Sequence, residues 1–142
     1  MIKVLNLYAG IGGNRKLWEI IKKKLDKLWS ELIKKRAKEM CEMCGKSTML
    51  NSHHIISRSN LNLRWDLHNG VCLCVSCHSL SNHSAYKDPL GFAEWVRQHR
   101  PDDYNYLMVK RNERFDKDYE RIERELKKWN ELKYFPKKKG EV

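Results

Sequence analysis

From Asn14 onward, apolar side chains return at Trp18, Ile21, Leu25, Leu28 and Leu32, spaced three, four, three and four residues apart. That spacing draws one apolar face along an α-helix. Lys22, Lys23, Lys24, Lys27, Lys34, Lys35 and Lys38 fall mostly off it, so the pattern predicts a basic amphipathic helix over 14–40, capped by Asn14 and ending near Met40. The same rhythm recurs at Phe115, Tyr119, Ile122, Leu126 and Trp129, predicting a helix from about Asp103 to Leu132 with a short coiled-coil-like seam. The two seams can pack on each other within one chain, which is the simpler arrangement, or either can pair with a second chain. Between them, "PLGFAEWVRQH" at 89–99 reads as a helix with Pro near its start, broken by Pro101. At the other end, "IKVLNLYA" reads as a short strand that runs into the Gly-rich turn "GIGGN".

Residues 41–84 lack this helical rhythm. They predict a turn at "CEMCGK", a strand around "HHIIS", a polar loop through "NLNLRWDLHNG", a second strand at "VCLCV" and a short helix starting near "CHSLSNHS". The expected class is therefore α+β. The expected organisation is an N-terminal strand or tail (1–13), the basic helix (14–40), a small core (41–84), a C-terminal helical extension (85–135) and a disordered basic tail (136–142).

The charge is 29 Lys and Arg against 18 Asp and Glu, a net of +11 on 142 residues, which favours a polyanionic partner, nucleic acid before a membrane surface. It is uneven. Residues 14–40 carry ten basic and four acidic side chains, so the basic face precedes the first cysteine. A lysine-rich helix that is merely solvated is the plainer alternative. No 18-residue apolar run is present and no secretory leader is read, so neither a membrane span nor export is expected.

Cys41-x2-Cys44 and Cys74-x2-Cys77 are separated by 29 residues. Each pair can make a tight turn with both sulfurs pointing the same way. Together the two turns supply the tetrahedral thiolate set that suits a structural Zn²⁺. The long spacer means that something is folded between the turns. Four sulfurs leave no open position on the ion, so its role is to hold the intervening hairpin. Cys72 lies two residues before Cys74, on the same strand face by alternation. It is expected to be a small buried residue, with an alternate ligand as the other reading.

His53, His54, Asn69 and His78 fall within or directly after this frame. The order C-x2-C, H-H-I, R, N, L-C-x2-C-H over about residues 41–84 resembles the HNH endonucleases, whose active site is a ββα-metal motif. The resemblance implies a role for each matching residue. His54 is the general base that deprotonates the attacking water, and His53 and His78 bind the catalytic metal. Asn69 bridges the hairpin loop and holds the base in place. It also implies hydrolysis of DNA to a 5′-phosphate and a 3′-hydroxyl with one divalent ion. Two imidazoles suit Mn²⁺, Ni²⁺, Zn²⁺ or Mg²⁺, with nitrogen donors leaning away from Mg²⁺. His83 is a third metal ligand, a phosphate contact or plain surface. Arg58 is a phosphate clamp or a salt bridge to Asp66, and His68 and His99 read as exposed while Trp65 reads as core. Because neighbours on a regular strand face opposite ways, His53 and His54 are expected at a distorted strand end. Phosphate contacts are assigned to Lys22, Lys23, Lys27, Lys34, Lys35 and Lys38.

The lysine-rich helix leading into the first cysteine pair is similar to small phage HNH proteins, including those of the NinG recombination type. That likeness implies a setting in phage replication, recombination or packaging, a bacterial host cytoplasm, and a homodimer or phage protein partner through the C-terminal helix. No small-molecule substrate is implied. "VLNLYAGIGGNRKLW" is similar to the first motif of DNA cytosine methyltransferases. No acidic second-strand end or Pro-Cys nucleophile follows, so cofactor binding is not expected. The rival readings are a zinc-ribbon nucleic-acid-binding module without cleavage and an assembly protein using its helical arm.

Overall fold

A single helix, α1 (Arg15–Arg36), is the spine on which the rest is laid; the computed structural model describes residues 15–132. The expected N-terminal strand, its Gly-rich turn, the Asn14 cap and the basic tail lie outside that range. The helix buries Ile21, Leu25, Trp29, Leu32 and Ile33. Trp18 and Leu28, expected on the seam, sit at its margin. The buried face is wider than the expected seam because α1 packs against a hairpin on one flank and the last helix on the other. The helix also ends four residues earlier than expected. A turn follows, in which Lys38 and Glu39 take left-handed backbone conformations (φ 56° and 55°).

Strands β1 (Leu50–His54) and β2 (Gly70–Cys74) form a two-stranded antiparallel sheet, with Leu50 opposite Cys74 and His54 opposite Gly70. The first strand was expected around His53 to Ser57. It runs earlier because Ile55 is the last residue to bond the opposing backbone, through Asn69 O at 3.0 Å. The Ile56 backbone bonds instead to the Asn69 side chain. After β2 the chain turns at once into a single π-helical turn, Ser76–Leu80.

The C-terminal part departs most from expectation. The single helix predicted from Asp103 to Leu132 is two helices. After α2 (Pro89–His99) come α3 (Pro101–Lys110) and α4 (Tyr119–Leu132). Pro101 starts α3, and Asn62 and Asn60 from the hairpin loop hold its end by donating to the Lys110 and Arg111 carbonyls at 2.8 and 2.9 Å. Asp118 then accepts the Arg121 N–H and opens α4. This break lets α4 fold back, so that Ile122 and Leu126 join Ile21, Leu25 and Trp65 in one core. The intrachain alternative is thus the one adopted. The class is α+β, and among the described residues no helix is long and apolar enough to cross a membrane.

Gly70 is where α1 and the sheet come closest. A Cβ built there would lie 2.2 Å from Ile33 Cδ1 and 2.8 Å from Trp29 Cζ2, so only glycine fits. Its carbonyl accepts from both Arg36 (2.6 Å) and Arg100 (2.5 Å). Burial and the neighbouring Arg100 lower Arg36 to about 10, which leaves it charged at neutral pH. Gly70→Ala is expected to cost about 1–3 kcal/mol in urea denaturation, the range for overpacking a well-packed core. An unchanged midpoint would mean that α1 does not press on the sheet.

Asp66 accepts from His68 Nδ1 (2.7 Å) and from Tyr106 Oη (2.6 Å), joining the hairpin loop to α3. The His68 ring is half-exposed and stacks on Tyr106 at 4.0 Å. The bond to Asp66 raises His68 above the ordinary histidine value of 6.5. The folded chain therefore favours the protonated ring. This contribution is complete below pH 6.5 and is lost as pH climbs through the raised value. The stability margin of the native chain over His68→Gln should shrink as pH rises above neutrality, measured by denaturant titration. A margin that grows with pH would refute the pairing.

Candidate metal centre and histidine site

The four expected sulfurs meet. The Sγ atoms of Cys41, Cys44, Cys74 and Cys77 all lie within 4.8 Å of one another, with Cys44 and Cys74 3.5 Å apart. The first turn is shaped by Gly45 N–H to Cys41 O (2.9 Å), with Gly45 at φ 81°, and by Cys41 N–H to Lys46 O (2.7 Å). It is stitched to β2 twice: Glu42 N–H donates to Cys72 O (2.8 Å), and Cys72 N–H donates to the Glu42 carboxylate (2.7 Å). Burial opposes ionisation of Cys74, yet hydrogen bonds from the Cys77 backbone and the neighbouring thiols bring it down to about 7. Burial and the other thiols push Cys77 upward. Four thiolates this close repel one another strongly unless a cation lies among them, and soft tetrahedral donors are what Zn²⁺ accepts. The donor set fits that ion. Cys72 is elsewhere. It is fully buried against α1, beside Trp29, Leu32 and Ile33, and burial raises its thiol to about 11. Cys74 packs instead with Cys41, Val71 and Leu73, in the cluster on the side of α2.

The two histidines of β1 keep the ordinary alternation instead of distorting the strand. His53 turns toward the π turn and α2, with its ring centroid 5.1 Å from His78 and 5.0 Å from Phe92. Burial, with the adjacent His78 and His54, lowers His53 to about 4. His53 is therefore neutral near pH 7, the form in which imidazole binds a metal, and its ring faces that of His78. His54 turns the other way and lies flat on Trp29 of α1, centroids 4.0 Å apart and planes 7° from parallel. Its Nε2 is 2.8 Å from the Arg64 carbonyl. A carbonyl only accepts, so Nε2 carries the proton and Nδ1 keeps its lone pair. Burial lowers the pKa of His54 as well, which favours this neutral form.

The surrounding bonds explain why Arg64 O stands where it does. Asp26 of α1 receives a bidentate pair from Arg64 (2.9 and 2.7 Å) and the Trp65 indole N–H (2.8 Å). Asn69 is fully buried and spans the loop. Its amide oxygen accepts from Ile56 N–H (2.6 Å), and its amide nitrogen donates to the Ile56 and Leu63 carbonyls (3.0 Å each). Sequence reasoning named Asn69 but missed Trp29, Asp26 and Arg64. Trp29 is one residue off the seam that was read. Asp26 shows in the sequence as one of three acids among the lysines of α1, with nothing local to mark its partner.

Other predicted site residues lie apart. His83 is exposed; its backbone bonds to Ser81 Oγ (3.1 Å), and it joins no group of three or more ligating side chains among the described residues. Arg58 is exposed, and the Asp66 carboxylate that was its alternative partner is taken by His68 and Tyr106. Lys22 pairs with Glu19 (2.9 Å) and lies over Trp18, whereas Lys35 donates to Asn130 (2.8 Å). Lys23, Lys27 and Lys38 are exposed and Lys34 half-buried. A cleft of about 490 Å³ lies between the hairpin loop, α3 and α4, lined by Arg36, His68, Tyr106 and Trp129 among others, and none of His53, His54 or His78 reaches it.

Residues 41–84 match the family model described as HNH endonuclease. No curated protein and no solved structure matches the chain. The match supports a nuclease-type function for this segment and implies DNA as its substrate.

Replacing Cys44 or Cys74 with serine should drop the bound zinc from about one ion per chain to none and release the hairpin, whose small core cannot fold unaided. Metal analysis of the purified chain, paired with circular dichroism, reads both effects. Full zinc retention in both variants would refute the thiol cluster as the metal site.

Proposed function

We propose that the protein is a metal-dependent HNH endonuclease that hydrolyses phosphodiester bonds in DNA. The observation that carries this reading is the 2.8 Å bond between His54 Nε2 and the Arg64 carbonyl. It fixes one tautomer and leaves Nδ1 as a proton acceptor, the requirement for a base that activates water near neutral pH. Trp29 holds the ring plane, and Asp26, through Arg64 and Trp65, holds the loop that presents the carbonyl. Asn69 closes that loop from the inside.

His53 and His78 are the residues that would hold the catalytic ion, as two nitrogen donors on neighbouring elements. Such an ion, when bound, supplies positive charge to the phosphoryl oxygens and the leaving 3′ oxygen. His54 takes the proton of the attacking water, and the buried rings around it exclude competing water. Since His53 and His54 point to opposite faces, the phosphodiester approaches across the unpaired edge of β1, where both imidazoles can reach it. The lysine-rich α1 lies beside that strand and supplies phosphate contacts. The phage setting and the host cytoplasm rest on resemblance to small phage proteins alone.

A supercoiled-plasmid assay with Mn²⁺ or Mg²⁺, with and without EDTA, tests the reading. Nicking should require the metal. His54→Ala should slow it by about 100-fold or more, the usual worth of a general base, while DNA retention persists. A His54→Ala chain that cuts at the native rate would overturn the assignment of the base. Retention without any cutting by the native chain would favour a binding module.

A further inference from the structure

The lysines of α1 are sorted by the fold into two sets. Lys22 is engaged by Glu19 and Trp18, Lys24 by Glu123 (3.2 Å) and Lys35 by Asn130. Lys16, Lys23, Lys27 and Lys34 have no ion-pair partner among the described residues. These four are spaced seven, four and seven residues apart, so they share one line along the helix, opposite its buried face. The line is straight, rigid and about 27 Å long at 1.5 Å of rise per residue. Glu31 is the only acid of α1 without a bonded partner among the described residues, because Glu19 is held by Lys22 and Asp26 by Arg64.

The row also has a fixed place relative to the candidate site. Going around α1, Trp29 and Ile33 lie under Gly70 of β2. One step further, Ser30 meets Ser52 of β1, with a hydroxyl pair at 3.0 Å and Ser52 Oγ donating to Ser30 O at 2.8 Å. The next step is the lysine row. The row therefore borders the unpaired edge of β1, two residues from His54.

We infer that Lys16, Lys23, Lys27 and Lys34 form a track for the sugar-phosphate backbone of duplex nucleic acid, which leads the substrate onto the edge of β1. This deepens the endonuclease reading above and rests on it for DNA as the ligand. A duplex is favoured over a single strand for two reasons. The track is straight and stiff, matching a rigid polyanion. It also offers no stacking platform, because both tryptophans of α1 face inward: Trp29 under His54 and Trp18 against Trp65 and Tyr119. Contacts of this kind position the substrate without reading its sequence.

The test uses full-length, zinc-loaded protein carrying His54→Ala, with binding measured against salt concentration for a duplex of about 30 base pairs and an oligothymidine of equal length. Changing Lys16, Lys23, Lys27 and Lys34 together to Gln should lower the duplex salt slope by about 3–4, from roughly 0.9 per lost phosphate contact. The matching set of Arg substitutions should keep the slope. A control set of Arg114→Gln, Lys117→Gln, Arg124→Gln and Lys128→Gln removes the same charge elsewhere and should leave most of the slope intact. An unchanged slope in the first set, an equal loss in the control set, or oligothymidine bound as tightly as duplex would each overturn the track. Plasmid nicking by the chain with His54 intact, with and without the four Gln substitutions, separates the two claims. Nicking with an unchanged slope sinks the track alone, whereas the expected slopes without nicking sink the nuclease reading and leave the track standing.

Discussion

Two strands of five residues cannot hold together in water unaided, because they bury too little to offset the entropy of ordering the loop between them. The meeting of Cys41 and Cys44 with Cys74 and Cys77 removes that difficulty by tying both ends of the hairpin segment to one point. Everything at the histidine site depends on this closure. His53 and His54 hang from β1, Asn69 directly precedes β2, and His78 directly follows the last thiol. The Glu42 bonds to Cys72 then extend the clamp into the sheet, so that the first cysteine turn and β2 move as one.

The segment that carries the family pattern is not self-sufficient. One face of the hairpin is completed by α1, which lies before it in sequence. Trp29 is the surface on which His54 lies, and Asp26 positions the loop whose carbonyl fixes the His54 tautomer. The close approach that makes this possible is allowed by the missing side chain at Gly70. On the other face, Phe92 of α2 packs on His53. The two histidines thus live in separate surroundings, each built by a different helix, although they are neighbours in the chain.

The α+β class, the thiol set and the order of the histidines and asparagine were legible in the sequence, because each follows from local spacing. A CxxC turn brings its own two sulfurs together whatever surrounds it, and a 3-4 apolar rhythm marks a helix before its partner is known. What depended on other parts of the chain was not legible. The predicted helix from Asp103 to Leu132 keeps its rhythm across a break that Asn60 and Asn62 impose from fifty residues away. Cys72 and Cys74, two apart on β2, end in different buried clusters, one against α1 and the other with Cys41.

By itself, then, the sequence determined which residues can ligate, which faces are apolar and where the positive charge is concentrated, since these are properties of residue type and spacing. Only the tertiary structure decided which lysines keep their charge free and which are paired. It also decided that His53 and His54 face opposite ways with different helices behind them, and that a tryptophan one position off the apolar seam supports the candidate base. Those outcomes are set by contacts between segments far apart in the chain, which no local pattern encodes.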